Sequence, residues 1–273
     1  MNYKELCHKV IGIAKEAGTF MKKEQESFSE SKVEEKSINS LVSYVDKTAE
    51  KMIVEALTQF LPEGGYIAEE GTSDKKGETY NWIIDPLDGT TNYIHGLPTY
   101  AVSIALMKDS KMVLGVVYEV GMDECFYAYG DGKAYLNGKE INVKNNPKLK
   151  DSLIATGFPY YDFSRNTAFY NTLMALTSKT RGMRRLGTAA TDLVYVACGR
   201  FDAFYEYSLS PWDVAAGSFI VEQAGGKVTD FNGGDNWLFG KEIIASSSSL
   251  YPDFSKIVID EFNQDYNSGD ILL

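Results

Sequence analysis

Residues 82–92 read Trp82-Ile83-Ile84-Asp85-Pro86-Leu87-Asp88-Gly89-Thr90-Thr91-Asn92. The apolar start is typical of a buried strand, and we expect it to end at Asp85 because Pro86 has no amide hydrogen to donate. Asp85 and Asp88 are close enough to point at one place, where two carboxylates repel unless one is protonated or a cation lies between them. Oxygen ligands favour Mg²⁺ or Mn²⁺ over zinc or copper. The stretch therefore predicts a divalent metal site.

The residues that follow predict an anion site beside the metal. Gly89, Thr90 and Thr91 resemble the first turn of a helix, whose free N–H groups and positive dipole end attract anions. A plain polar turn is the alternative, because Asp, Pro and Gly are also the common turn residues. The metal site is favoured because an unpaired charge emerging from so apolar a strand is costly.

Composition restricts the classes of function. The chain has 273 residues, 44% of them apolar, and a formal net charge of −11, which allows one large domain or two packed halves. Such acidity argues against binding to nucleic acid or an anionic membrane. Charged residues interrupt the apolar pattern at the N-terminus and no apolar run is long enough to span a bilayer, so we expect a soluble protein. Three widely spaced cysteines argue against a disulfide framework and favour the cytoplasm: Cys7, Cys125 and Cys198.

Several enzyme classes are disfavoured by missing motifs. The chain has only two histidines and no Gly-x-Ser-x-Gly elbow, which gives a serine-hydrolase triad little support. Gly240-Lys241 is followed by Glu242, so this segment is not a nucleotide-binding P-loop.

Hydrophobic spacing predicts two differently built halves. Residues 1–146 are expected to form helices packed on an antiparallel sheet that carries most of the metal ligands, and residues 147–273 an α/β half with alternating elements. The boundary is placed at Lys144-Asn145-Asn146-Pro147, and Asn137-Gly138 predicts a hairpin turn. The predicted helices are 6–21, 49–60, 167–178, 189–197, 214–224 and 251–262; the predicted strands are 80–85, 101–107, 112–120, 124–129, 152–156, 201–207 and 242–245.

Further segments, taken with Asp85-Pro86-Leu87-Asp88-Gly89-Thr90-Thr91-Asn92, resemble the inositol monophosphatase family, and the likeness runs from the first helix into the last third of the chain. They are Leu41-Val42-Ser43-Tyr44-Val45-Asp46, Ile67-Ala68-Glu69-Glu70-Gly71, Gly187-Thr188-Ala189-Ala190, Asp202-Ala203-Phe204-Tyr205-Glu206 and Pro211-Trp212-Asp213-Val214-Ala215-Ala216-Gly217. The resemblance implies an alternating αβαβα layered sandwich of the sugar-phosphatase type, of mixed α+β and α/β character. The site would lie between the two halves.

The resemblance also implies a set of metal ligands. One Mg²⁺ would be held by Glu69, Asp85 and the carbonyl of Leu87, and a second by Asp85, Asp88 and Asp213. Glu69 and Thr90 would orient the attacking water, and a third ion would lie near Asp46. Mn²⁺ could replace Mg²⁺. Without the resemblance, Glu69 would be a solvated loop residue, and Asp46 and Asp213 would be helix N-caps.

A substrate pocket is implied in the same way. The residues implied to contact substrate are Asp88, Gly89, Thr90, Gly187, Thr188, Ala189, Glu206 and Asp213. The alternative makes Thr188 and Ala189 a simple helix start and Glu206 a charge at a strand end. Arg181, Arg184 and Arg185 form the only compact basic cluster, which we interpret as a solvated or subunit-facing strand rather than a phosphate clamp.

The expected function is hydrolysis of a small phosphate monoester, namely inositol-1-phosphate or a related polyol phosphate, by a lithium-sensitive, homodimeric enzyme. The alternatives are a phosphatase acting on the 2'-phosphate of NADP or on 3'-phosphoadenosine 5'-phosphate. The non-enzymatic alternative is a binding partner of the transcription machinery, because the resemblance includes bacterial relatives that associate with it.

Overall fold

Helices and strands alternate in five layers. The computed structural model describes residues 1–26, 33–37, 40–145, 148–159 and 162–264. The predicted boundary at Asn146 and Pro147 lies outside these ranges. The helices are α1 (Tyr3–Gln25), α2 (Tyr44–Phe60), α3 (Thr90–Ile94), α4 (Asn166–Lys179), α5 (Ala189–Ala197), α6 (Pro211–Gln223) and α7 (Tyr251–Phe262). The strands are β1 (Val33–Ser37), β2 (Ser40–Ser43), β3 (Gly65–Ala68), β4 (Tyr80–Asp88), β5 (Ala101–Lys108), β6 (Lys111–Glu119), β7 (Glu124–Tyr129), β8 (Ala134–Leu136), β9 (Lys139–Ile141), β10 (Leu153–Thr156), β11 (Gly182–Arg184), β12 (Ala203–Tyr207), β13 (Gly226–Thr229) and β14 (Glu242–Ser247).

The larger sheet has seven strands in the order β3-β4-β5-β6-β7-β8-β9. All its pairings are antiparallel except that of β3 with β4, which is parallel. Helices α1 and α2 cover one face, because their apolar residues recur at helical spacing and pack on that side. Asn137 and Gly138 both have positive φ angles, 48° and 83°, and join β8 to β9 as the predicted hairpin.

The second sheet has five strands in the order β11-β10-β12-β14-β13. Helices α5 and α6 fill the space between the two sheets, and their side chains share one core with both. Helices α4 and α7 cover the outer face of the five-stranded sheet. The order of layers confirms the αβαβα sandwich. Within the described ranges, every helix is too short or too polar to cross a membrane.

The prediction of where strand β4 ends is wrong. Strand β4 does not end at Asp85 but runs on through Pro86 to Asp88. Asp85 pairs with Ser103 and Asp88 with Ala101, with an irregularity in register between them. The Leu87 N–H donates to Oδ1 of Asp85 at 2.9 Å, so the carboxylate supplies a partner where the ladder is interrupted. The irregularity lies between the two acidic residues.

Candidate functional site

The acidic side chains are brought together by neighbouring strands. Asp85 is buried on β4, with 2% of its surface exposed. Strand β3 runs parallel to β4 with Ala68 opposite Ile84, so Glu69 leaves β3 next to Asp85. The Glu69 N–H donates to the Ile84 carbonyl at 3.2 Å, which extends the strand pairing by one bond.

Helix α6 brings Asp213 to the same place. Ser103, the partner of Asp85 on β5, donates its hydroxyl to the Trp212 carbonyl at 3.2 Å. Asp213 is the third residue of the helix rather than its N-cap, because Ser210 occupies the cap position. The Asp213 carboxylate still contributes to capping, since Oδ2 accepts the Ser210 N–H at 2.7 Å. The other carboxylate oxygen of Asp213, Oδ1, takes no part in this hydrogen bond.

Mutual repulsion shows that these carboxylates share one environment. Burial, followed by the charges of Glu69, Asp88 and Asp213, raises the pKa of Asp85 well above its usual range. Burial and the Asp88 charge likewise raise the pKa of Asp213. The pKa of Asp88 rises to about 6 by burial, although hydrogen bonds from Thr188 and Ala190 work against the shift. The region therefore disfavours the accumulation of negative charge.

The donor set fits a hard divalent cation. All of the donors are oxygens, and a cation between them would offset the cost of burying several negative charges side by side. Among the described residues, no three or more acidic, histidine or cysteine side chains form a ready-made metal cluster. The aspartates are instead fixed by backbone amides, as in the bond from Leu87 to Asp85 at 2.9 Å and from Ala190 to Asp88 at 2.7 Å.

The hydroxyl of Thr90 joins two other predicted site residues. It lies 3.0 Å from Oδ1 of Asp46 and 3.0 Å from the Leu87 carbonyl oxygen. One hydroxyl hydrogen serves both acceptors. Helix α2 begins at Tyr44, so Asp46 lies inside its first turn and the N-cap alternative for Asp46 is wrong. The predicted helix after Asp88 exists as α3, which has five residues and follows Gly89 with φ of 92°.

Residues at the start of α5 donate hydrogen bonds to the Asp88 carboxylate. Thr188 caps α5 by accepting the Thr191 N–H at 3.2 Å, and its hydroxyl donates to Oδ2 of Asp88. Gly89 and Gly187 allow this close approach, since a Cβ on Gly89 would lie 3.4 Å from the Gly187 carbonyl oxygen and 3.4 Å from Cβ of Thr188. Thr188 is therefore a helix cap and a partner of Asp88 at once.

Asn92 makes two hydrogen bonds that the sequence did not predict. Its buried amide donates to the Thr99 carbonyl at 2.7 Å and to the Leu186 carbonyl at 2.8 Å. The second bond ties α3 to the turn before Gly187. The available signal was the position of Asn92 at the end of the quoted stretch, but nothing in the sequence identified its partners.

Glu206 lies on β12, where burial raises its pKa to about 8 despite the opposing charge of Arg185. Gly157 makes room for it, because a Cβ there would lie 2.0 Å from Oε1 of Glu206.

Arg181 and Arg184 are exposed, as expected. Arg185 differs, because it is partly buried and near enough to the site for its charge to lower the pKa of both Asp88 and Glu206. Asp192, also missed, is buried near Glu206, Asp88 and Arg185.

Comparison with known proteins gives one consistent result. A sequence model of the inositol monophosphatase family matches residues 2–262. A protein of Neisseria meningitidis serogroup B named putative Nus factor SuhB is 41% identical over 246 residues, which are 90% of this chain and 94% of that protein. An inositol-1-monophosphatase of Mesorhizobium japonicum is 36% identical over 246 residues, covering 90% of this chain and 92% of its own length. The solved structure of an inositol monophosphatase from Anabaena matches with a TM-score of 0.84 and 33% identity, covering 95% of this chain and 97% of that one.

Proposed function

The chain belongs to the inositol monophosphatase family and is a phosphomonoesterase, and from this premise we propose that it uses Mg²⁺ to hydrolyse inositol-1-phosphate or a related small polyol phosphate. The observation that carries the proposal is the convergence of Glu69, Asp88 and Asp213 on the buried Asp85, whose pKa their charges raise in addition to burial. These residues come from β4, from α6 and from the loop after β3, so their convergence is a property of the fold.

We assign the metal ligands by the family resemblance. Glu69, Asp85 and the Leu87 carbonyl would hold one Mg²⁺, and Asp85, Asp88 and Asp213 a second; Mn²⁺ has the same preference for oxygen. A third would lie near Asp46 and Glu69. Bound magnesium would supply positive charge at the phosphate and a more acidic water.

The protein side chains would then align the reactants. Glu69 and Thr90 would accept hydrogen bonds from the attacking water, and the Asp46 and Leu87 oxygens fix the Thr90 hydroxyl that does so. The amides of Gly89 and Thr90 would donate to phosphoryl oxygens. Glu206 would accept hydrogen bonds from the hydroxyls of the polyol, beside Gly187, Thr188 and Ala189. This arrangement needs no covalent enzyme intermediate.

The test is phosphate release from inositol-1-phosphate by the purified chain. We expect turnover with Mg²⁺, loss with EDTA, recovery when excess Mg²⁺ is added back, and inhibition by lithium. NADP and 3'-phosphoadenosine 5'-phosphate, assayed beside it, distinguish the polyol substrate from the nucleotide alternatives. Equal turnover in EDTA contradicts the metal assignment, whereas faster hydrolysis of a nucleotide contradicts only the substrate.

Gly157→Ala tests the role given to Glu206. The added methyl group would lie 2.0 Å from Oε1 of Glu206, so the carboxylate must move. We expect KM for inositol-1-phosphate to rise roughly fivefold, because one hydrogen bond contributes about 1 kcal/mol, with a smaller change in kcat. Gly12→Ala on α1 is the matched control, since its Cβ meets nothing within 4 Å. An unchanged KM in Gly157→Ala argues against contact between Glu206 and substrate.

We also propose that the enzyme is a cytoplasmic homodimer. Three free thiols support a reducing compartment. Tyr170 and Met174 lie one turn apart on α4 and are 52% and 56% exposed, and an exposed apolar pair of this kind is compatible with a subunit contact. Size-exclusion chromatography with light scattering tests the stoichiometry, and a single-chain mass would contradict it.

A second candidate function is association with the transcription machinery. It is supported by the name of the N. meningitidis relative, a putative Nus factor. Asp88→Asn separates the two functions, because it should remove turnover and leave association with RNA polymerase complexes unchanged. Loss of both would favour one shared surface, and unaltered turnover would contradict the role of Asp88 as a ligand.

A further inference from the structure

We propose that Glu50 on α2 is a positioning residue for Glu69, and that it sets the affinity of the site for its metal without contacting metal or substrate. The inference rests on the proposed function, because it takes Glu69 as a metal ligand. It goes beyond that function by assigning a role to a residue outside the ligands, namely the support of the loop that follows β3 and carries Glu69.

Glu50 is a fully buried carboxylate, with 0% of its surface exposed. Each of its oxygens accepts one backbone amide from that loop: the Glu70 N–H at 2.7 Å and the Thr72 N–H at 2.7 Å. Gly71 between them has φ of 67°, a conformation that suits glycine and turns both amides toward the same carboxylate.

These bonds fix the backbone on the C-terminal side of Glu69. The backbone on the other side is fixed by the bond from the Glu69 N–H to the Ile84 carbonyl at 3.2 Å. With both flanking peptide groups held, the direction of the Glu69 Cα–Cβ bond is determined by β4 and by Glu50. The side chain therefore leaves the backbone toward Asp85, whose pKa it raises.

The same helix contributes twice to the site. Asp46 lies four residues before Glu50, on the same face of α2, and accepts the Thr90 hydroxyl at 3.0 Å. Helix α2 thus holds the loop of Glu69 and the hydroxyl of Thr90 in a fixed relation. A rigid helix carrying both contacts is the kind of support that a metal site requires from residues outside its ligands.

Glu50→Gln is the test, because it keeps the shape of the side chain and removes one of the two acceptors. We expect the Kd for Mn²⁺, measured by calorimetry on the protein without substrate, to rise roughly tenfold or more, the usual effect of losing such a support. The Mg²⁺ concentration for half-maximal activity should rise in parallel. At saturating Mg²⁺ the substrate KM should stay within about threefold of wild type, since Glu50 does not touch the substrate.

Asp202→Asn is the matched control. Asp202 is also a buried carboxylate that accepts a backbone amide, from Leu153 at 2.8 Å. It precedes β12, at the end opposite Glu206. Both variants should lower Tm, but only Glu50→Gln should weaken Mn²⁺ binding. Equal Mn²⁺ affinity in wild type and both variants means that Glu50 is merely structural and overturns the inference.

Hydrogen exchange of the wild-type protein provides an independent measurement if Glu50→Gln does not fold. The amides of Glu70 and Thr72 should exchange far more slowly than that of the exposed Gly71 between them, and equal exchange overturns the inference. Wild-type protein that binds Mn²⁺ but shows no loss of affinity in Glu50→Gln leaves the proposed function standing. Wild-type protein that binds no Mn²⁺ overturns both.

Discussion

Asp85→Asn is expected to abolish phosphate release and, at the same time, to stabilise the metal-free protein. The loss of rate follows because Asp85 would contact both ions, and several kcal/mol of transition-state stabilisation correspond to roughly a thousandfold or more in kcat. The gain in stability follows because the pKa of Asp85 is raised by burial and by three neighbouring carboxylates. Asparagine removes the repelled charge and keeps the oxygen that accepts the Leu87 N–H at 2.9 Å.

Calorimetry in EDTA and a phosphate assay in Mg²⁺ measure the two effects separately. Asp202→Asn is the control again, because the Asp202 carboxylate accepts the Leu153 amide and is not among the charges that raise the pKa of Asp85, and the Tm of this variant should fall. A lower Tm for Asp85→Asn in EDTA would mean that Asp85 is stabilised as a carboxylate in the metal-free protein, contrary to the direction of its pKa. Residual turnover near the wild-type value would exclude Asp85 from the metal site.

The second large effect is an unusual dependence of stability on pH. In EDTA, we expect Tm to fall as pH rises from about 5 to 8 and added Mg²⁺ to restore most of the loss. Folding raises the pKa of Asp88 to about 6 and that of Glu206 to about 8, so the folded state binds more protons than the unfolded state in this window. Stability therefore decreases with rising pH. Below the unfolded pKa values, both states are protonated and the penalty disappears.

The size of this effect is large because several groups contribute. Each unit of pKa difference corresponds to about 1.4 kcal/mol, and a few kcal/mol change Tm by roughly 10 °C in a protein of this length. Thermal unfolding over a pH series, with EDTA and with Mg²⁺, gives the result. Glu206→Gln should flatten the curve between about pH 6 and 8, because it removes a group whose pKa is about 8 in the folded protein. A Tm that rises toward pH 8 in EDTA would contradict the electrostatic description of the site.

The layered fold was accessible from the sequence because its signals are local. Apolar spacing in α1 and α2, the Asn137-Gly138 turn and the alternation of elements after residue 150 each depend on neighbouring residues. The end of β4 could not be predicted from the sequence. The rule that proline ends a strand failed at Pro86, because the Asp85 carboxylate accepts the Leu87 N–H and the strand resumes at Asp88.

The sequence predicted a set of site residues, whose roles stay predictions, and it did not predict the hydrogen bonds that hold them. The stretch from Asp85 to Asn92 pointed to a metal and phosphate site, and the resemblance supplied Glu69 and Asp213 from elsewhere. The bonds that hold these residues join positions far apart in the chain, such as Asn92 and Leu186 or Thr188 and Asp88. Spacing in one sequence carries no information about such pairs. Glu50 was missed for the same reason, because a buried glutamate on a helix has no local signature of its target loop.

The hydrogen bonds from α5 and its N-cap to the Asp88 carboxylate matter while the chain is still being synthesised. Thr188 and Ala190, which donate to that carboxylate, are 100 and 102 residues further along the polypeptide. A nascent chain that has emerged from the ribosome only as far as β9 contains Glu69, Asp85, Asp88 and Thr90 but lacks both donors and Asp213. Phosphatase activity should therefore appear only after α6 has left the exit tunnel. The incomplete nascent chain should not hydrolyse cellular phosphate esters.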